Sequence, residues 1–308
     1  MPLRVLWRGM MLYYAENDKI LARAWQAGEA IPATTIWVDM LSPTPEQEAA
    51  VEQFLGMPVP TREEMAKIEV SNRLYEENGA LFMTATMLSK VDSGAPQTHP
   101  ATFIVSEERL VSVRYIDTTS FRRFATMVQK YSPQNICGVL TFLLLVETII
   151  NRQADILERA DREVDSITID IFKHREPGEM RSTMHYQSVL EHIGRTGDIV
   201  AKIHESLVTF SRIVVFAGHH AAFTCAEFEL QLTSIRRDIA GLSDHGNHLA
   251  ARINFLLDAT LGMISIQQNG VFRVLSTASL IFLPPTLVAS IYGMNFKWMP
   301  ELSWNYGY

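Results

Sequence analysis

The residues best suited to chemistry lie near the end of the chain, in the stretch YGMNFKWMPEL, residues 292–302. Asn295 carries a neutral side-chain carbonyl that accepts hydrogen bonds. Gly293 lets a helix end with its last carbonyls exposed, and a helix C-terminus carries a partial negative charge. Together these groups offer uncharged oxygen acceptors to a hydrated cation. A plain glycine helix stop with a capping asparagine has the same local sequence.

The segment before this stretch is uncharged from residue 274 to residue 296 and is bounded by Arg273 and Lys297. A membrane-spanning helix needs about 20 predominantly apolar residues. Pro284-Pro285 would be costly inside a soluble helix but is better tolerated in a membrane. We therefore predict a transmembrane helix over residues 271–296, with a buried core helix as the alternative.

Much of the polarity of this helix falls on one stripe at three-four spacing. In lipid a polar stripe must face another helix or water. Two explanations of this stripe are open. It packs against another helix through small residues, or it lines a pore enclosed by several copies of the chain, with apolar constrictions at Leu275 and Leu283. The stripe comprises Asn269, Phe272, Ser276, Ser279, Leu283, Thr286, Ser290 and Gly293.

Residues 1–130, which precede the helical part of the chain, mix strand-like and helix-like segments. TTIWVDML reads as a strand, and SPTPEQEAAVEQFLG reads as a helix capped by Ser42 or Thr44. Two hairpins are predicted, one turning at Asn78-Gly79 and one at residues 106–109. These patterns indicate an α/β or α+β domain.

Residues 131–270 are predicted to form long helices that resemble coiled-coil arms, since no proline lies between Pro133 and Pro177 or between Pro177 and Pro284. Pro177-Gly178 is expected to separate the first arm from the next helix. Acidic residues lie between the apolar rows, either as a solvated face or as a means of concentrating cations. The acids are Glu158, Asp161, Glu163, Asp165 and Asp170, and the heptad rows are Ile150, Leu157, Val164 and Ile171 with Ala160 and Ile167.

Composition narrows the function classes. The formal net charge is −7, with no basic block, which gives no support to nucleic-acid binding. Cys137 and Cys225 are too few for a disulfide framework, and we expect both to be buried thiols.

The N-terminus has no signal-peptide pattern, so the bulk of the chain is expected in the cytoplasm. Nucleotide-binding loops and hydrolase motifs are absent from the sequence, which argues against an enzyme.

The terminal motif resembles the signature of the CorA family of magnesium and cobalt transport proteins. Tyr-Gly-Met-Asn-Phe is followed by Met-Pro-Glu-Leu at the distance typical of the family. The preceding segment resembles the pore helix of the proteobacterial branch, and its sequence is INFLLDATLGMISIQQNGVFRVLSTASLIFLPPTLVAS. A weaker resemblance covers nearly the whole chain. The family implies a funnel-shaped homopentamer in the bacterial inner (plasma) membrane. Its α+β cytoplasmic domain is followed by long helices, the last continuing as the first membrane span.

A short external loop and a second membrane helix follow in the family. Residues 297–308 match the start of that loop, so we expect the second helix to be missing from this sequence. Glu301 in the loop either draws cations toward the mouth or has no specific role.

The resemblance implies a selectivity filter of Gly293, Met294 and Asn295. Mg²⁺ dehydrates reluctantly, so Asn295 is expected to contact the ion through its bound water. The matching pore-lining and gate positions are Asn269, Phe272, Leu275, Ser279, Leu283 and Thr286. Mg²⁺ is the implied cargo, with Co²⁺ or Ni²⁺ as further ions and a regulatory role for Mg²⁺ left open. No organic cofactor is implied, and the partners are further copies of the chain and membrane lipid.

Two alternatives remain. A zinc-transporting relative shares the fold, and Asp244, His245 and His248, with the pair His219-His220, have spacings compatible with metal binding. A non-conducting, membrane-anchored scaffold is the other. A scaffold should tolerate Asn295→Ala, whereas a channel should not.

Overall fold

The computed structural model describes residues 9–67, 69, 73–91, 95–172, 183–293 and 300–306. Within these ranges seven strands form one mixed sheet. The strands are β1 (Gly9–Glu16), β2 (Lys19–Ala24), β3 (Thr35–Leu41), β4 (Leu74–Glu77), β5 (Ala80–Ser89), β6 (Gln97–Val105) and β7 (Leu110–Arg114). Their order is β2-β1-β3-β7-β6-β5-β4, and only the β3–β7 pair is parallel.

Local sequence explains the turns of this sheet. Asn78 and Gly79 both have positive φ, which suits the two-residue turn that joins β4 to β5. The β6–β7 turn is closed by the Ser106 N–H, which donates to the Arg109 carbonyl at 2.9 Å. Both predicted hairpins and the predicted strand β3 are confirmed.

Two short helices lie between the strands, α1 (Pro45–Leu55) and α2 (Arg62–Met65). Thr44, one of the two predicted caps, forms a capping box with Gln47 at the start of α1. Thr61 and Glu64 form the same arrangement at α2.

Side chains alternate between the two faces of the sheet and fill two cores. Val38 and Phe82 point to the core that contains Val51 of α1 and Met65 of α2. Trp37, Leu81 and Phe103 point to the opposite core, which receives Phe121, Phe142 and Phe210 from α3 (Thr119–Val128), α4 (Gly138–Phe172) and α5 (Thr183–Ala217).

The helical part ends in α6 (Ala226–Tyr292), one helix of 67 residues. At 1.5 Å per residue it is about 100 Å long. It packs against α4 and α5, as the heptad pattern predicts, and the pattern's six apolar residues on α4 are buried. They are Ile150, Leu157, Ala160, Val164, Ile167 and Ile171.

The two cysteines differ in exposure. Cys137 is partly buried, whereas Cys225 is exposed. The prediction of a buried thiol is wrong for Cys225, because this residue precedes the first turn of α6 in a connection and does not lie on a packed helix face.

Candidate functional site

The apolar end of α6 is exposed along its whole length. Val274 is 71% exposed, Leu280 76% and Phe282 70%. Among the described residues this is the one helix long and apolar enough to cross a membrane. No part of the described chain covers these side chains, so within one chain this segment is not a core helix.

The predicted stripe lies on this exposed helix. Asn269, Phe272, Ser279, Leu283 and Thr286 are all exposed, and their three-four spacing puts them on one side of α6. Leu275, also exposed, lies at the edge of this side. The structure therefore brings the predicted pore positions to a common surface within one chain.

Hydroxyl groups on α6 are hydrogen-bonded to the helix backbone. Ser279 Oγ donates to the Leu275 carbonyl at 2.9 Å, and Thr286 Oγ1 donates to the Phe282 carbonyl. Because their hydrogens are used inside the helix, these oxygens face outward as acceptors. Thr277 makes the same bond to Arg273 but lies on the opposite side of the helix. The stripe can thus accept hydrogen bonds from water.

Pro284 and Pro285 lie inside α6 without ending it. Neither has an N–H, so the carbonyls of Leu280 and Ile281 lose their usual helical donors. In an apolar environment such carbonyls require donors from elsewhere.

The helix ends at the predicted filter. Gly293 is the C-cap of α6, and its N–H donates to the Ala289 carbonyl at 2.9 Å. Its φ is −78°, so a left-handed conformation is not the reason for glycine. A Cβ at this position would lie 3.0 Å from the Ala289 oxygen, which is tighter than nearly all Cβ contacts. Met294 and Asn295 lie outside the described residues, and Glu301 lies in the 3-10 helix Pro300–Ser303.

The histidines that suggested zinc are not brought together. Asp244 and His248 are exposed neighbours on α6. His220 Nδ1 accepts from the Ala222 N–H at 3.2 Å, and its Nε2 lies 3.5 Å from Glu76. No group of three or more metal-ligating side chains occurs in the described ranges.

The acidic face of α4 has contacts that sequence reasoning missed. Arg252 of α6 binds both Asp161 and Asp165. Thr196 Oγ1 of α5 donates to Glu163 at 3.1 Å. These acids therefore join α4 to its neighbours, and the predicted role as a purely solvated face is incomplete.

Comparisons with known proteins agree on one family. The model of a family described as CorA-like Mg²⁺ transporter protein matches residues 32–308. The magnesium transport protein CorA of Escherichia coli strain K12 is 28% identical over 296 residues, 96% of this chain and 91% of the relative. The protein of the same name from Pectobacterium atrosepticum is 30% identical over 274 residues, 89% of this chain and 84% of the relative.

Solved structures share the fold. The complete structure of the CorA magnesium transporter from Methanocaldococcus jannaschii matches with a TM-score of 0.70 at 15% identity, covering 97% of this chain and 90% of that one. The ZntB cytoplasmic domain from Vibrio parahaemolyticus matches with a TM-score of 0.58 at 9% identity, covering 83% and 97%. Both likenesses concern the fold, which is an N-terminal mixed-sheet domain followed by long helices.

Proposed function

The chain belongs to the family of CorA-like Mg²⁺ transporter proteins, and we propose from this premise that it conducts hydrated Mg²⁺ through a pore lined by α6. The family's activity is transport and not catalysis. The observation that carries the proposal is the exposed apolar end of α6, which bears one stripe of oxygen acceptors and ends at Gly293.

A pore requires several copies of the chain, because one helix cannot enclose a path. We propose a homopentamer in which the Asn269–Thr286 sides of five α6 helices face a common axis. The exposure of this side supports the arrangement, since an isolated polar stripe would otherwise meet lipid. Lipid then contacts the remaining apolar faces.

The filter is a ring of Gly293, Met294 and Asn295 from each copy. Mg²⁺ usually keeps several of its waters, and those waters act as hydrogen-bond donors. Neutral amide oxygens of Asn295 and carbonyls at the end of α6 match them without stripping the ion. Co²⁺ and Ni²⁺ are further candidate ions for the same ring.

In this proposal apolar constrictions gate conduction and the membrane potential drives it. Leu275 and Leu283 form apolar constrictions that stop ions when they lose water. The membrane potential supplies about 2.3 kcal/mol per charge per 100 mV, and so roughly twice that for a divalent ion. We place the protein in a bacterial inner membrane, with residues 1–130 in the cytoplasm and Glu301 in the external loop.

The test is ion flux into liposomes that contain the protein, under an imposed potential, with Mg²⁺- and Zn²⁺-sensitive dyes. We expect potential-driven Mg²⁺ entry that Asn295→Ala abolishes and Asn305→Ala, a matched substitution beyond the filter, leaves intact. Zinc entry without magnesium entry would favour the zinc-transporting alternative. Absence of flux for both ions would contradict the channel proposal and favour a non-conducting, membrane-anchored scaffold.

A further inference from the structure

A cavity of about 270 Å³ lies between the sheet domain and α4, and no residue of α6 lines it. It is formed where the end of β5, the loop before α3 and the middle of α4 meet. Three cationic side chains and one acidic side chain line it, so basic side chains outnumber acidic ones in the lining. These residues are Lys90, Arg122, Arg152 and Asp117.

The N-terminus of α3 opens onto this cavity. Thr118 is the N-cap residue, yet its side chain makes no capping hydrogen bond. Thr118 is only 5% exposed, and its Oγ1 has no hydrogen-bond partner. The first N–H groups of a helix lack intrahelical acceptors and attract anions. A buried hydroxyl without a partner is a second, independent sign that a ligand completes this site.

The segment before α3 is held in place by Arg114. Its Nη1 donates to the Ile116 carbonyl at 2.7 Å and lies 3.6 Å from Asp117. Its guanidinium stacks on Phe121 at 4.3 Å from the ring centroid. These contacts fix the N-terminus of α3 before any ligand arrives.

The acid in the cavity is paired with two arginines. Asp117 contacts Arg114 and also binds Arg122. Arg122 Nη2 donates to Thr119 Oγ1 at 3.3 Å, which places the guanidinium at the first turn of α3. A guanidinium beside free backbone N–H groups matches the oxygens of a phosphate group.

We propose that this cavity binds a phosphate-class oxyanion, held by the N-terminus of α3, the Thr118 hydroxyl and Arg122. A neighbouring cavity of about 410 Å³ shares Val91 with it and is lined by Arg159, Arg195 and His192 and by one acid, Glu163. The ligand is therefore either free phosphate or the phosphate end of a nucleotide. The proposal does not depend on ion conduction, because none of these residues lies on α6.

The test is isothermal titration of the full chain in detergent, at fixed ionic strength set with sodium chloride. One arm uses inorganic phosphate and the other uses ATP with a chelator to remove metal. We expect binding that Arg122→Gln and Thr118→Val weaken about tenfold or more, because each removes a hydrogen bond to a charged group. Arg123→Gln is the control, since the adjacent Arg123 contacts Asp155 and does not line the cavity.

Unfolding midpoints of the variants in the absence of ligand show that each one folds. Arg122 is half exposed, so Arg122→Gln keeps the test valid if Thr118→Val is unstable. Binding of phosphate supports free phosphate as the ligand, and binding of ATP alone supports a nucleotide. Absence of binding in both arms, an equal loss in Arg123→Gln, or no loss in Arg122→Gln would overturn the proposal.

Discussion

Arg252 of α6 donates a hydrogen bond from Nη1 to Oδ1 of Asp161 on α4, at 2.8 Å. The Nη2 of the same guanidinium binds Asp165, one turn further along α4. One side chain thus connects the helix that carries the candidate pore with the helix that packs against the sheet. These two ion pairs add to the apolar packing that holds α6 against α4.

Replacing this arginine should weaken the contact without unfolding the protein. We expect Arg252→Gln to lower the free energy of unfolding by about 0.5–1 kcal/mol, since the pair is about one-third exposed and screened by solvent. The loss should shrink at high salt. Urea unfolding at two salt concentrations measures it. Arg237→Gln, an exposed arginine on the same helix, is the control, and an equal effect there would contradict the role of Arg252.

The buried ion pair between Arg114 and Asp39 should contribute far more to the free energy of unfolding than the Arg252 contacts. Arg114 Nη2 lies 2.7 Å from Asp39 Oδ2, and both side chains are under 5% exposed. Burial works to lower the pKa of Arg114, but the charge and hydrogen bonds of Asp39 outweigh it and raise the pKa. We expect Arg114→Met to cost about 3–5 kcal/mol, because it leaves the Asp39 carboxylate buried with only the Ser112 hydroxyl as a partner and no cation to neutralise it.

Denaturant unfolding checks this value. Arg122→Met provides the comparison, because its pair with Asp117 is exposed and should cost below about 1 kcal/mol. The double variant Asp39→Asn with Arg114→Met should recover part of the loss. Equal losses for Arg114→Met and Arg122→Met would show that burial of the pair is not what matters.

Two threonines on opposite sides of α6 allow a test of whether the polar stripe lines a pore or packs against another helix. Both donate to a backbone carbonyl one turn earlier, Thr286 to Phe282 and Thr277 to Arg273. We expect Thr286→Val to lower Mg²⁺ flux about fivefold, because it removes an acceptor for ion-bound water worth about 1 kcal/mol. Thr277→Val should leave flux unchanged. The same liposome assay measures both, and equal effects would favour packing of the stripe between helices.

A buried polar chain joins α4, α5 and the sheet. Gln153 Nε2 donates to Ser206 Oγ at 2.7 Å, and Ser206 Oγ donates to the Thr86 carbonyl at 2.6 Å. We expect Ser206→Ala to lower the free energy of unfolding by about 1–3 kcal/mol, since it strands two buried polar groups. Thermal unfolding measures this. Ser211→Ala, at an exposed position on the same helix, should have almost no effect.

His99 on β6 predicts a pH dependence. Burial, followed by the charges of Arg62 and Lys90, lowers its pKa in the folded state. The unfolded chain therefore takes up a proton first as the pH falls below about 6.5, and stability is lost from there down to the folded pKa. Above about pH 6.5 this contribution is fully present.

We expect His99→Gln to flatten the loss of stability between about pH 7 and pH 5. Urea unfolding across this range measures the slope for the variant and the parent protein. His248→Gln, at an exposed site on α6, should keep the parent slope. A variant slope equal to that of the parent would rule out His99 as the source.

Much of the fold was predictable because it rests on local patterns. The heptad row from Ile150 to Ile171 marks the buried face of α4, and Asn78-Gly79 marks a hairpin, since both signals lie within a few turns of the chain. The stripe on α6 follows from helical spacing alone. Its continuity through Pro284-Pro285 was also expected, because prolines are tolerated where a helix crosses a membrane.

The contacts between distant residues were not predictable in this way. Arg114 and Asp39 are 75 positions apart, and their pairing depends on β3 and β7 lying side by side in parallel. Arg252 gave no signal as a partner of Asp161, because charged residues on helices are usually solvated. The exposure of Cys225 depends on where the α5–α6 connection runs, which composition does not reveal.

The unbroken course of α6 has a mechanical consequence. From Thr260, the last buried residue of α6, to Tyr292 the helix extends about 48 Å at 1.5 Å per residue, so a tilt of about 5° there moves the far end by about 4 Å. A small change in how the packed part of α6 sits on α4 and α5 is therefore enlarged several-fold at Gly293, at the opposite end of the rod.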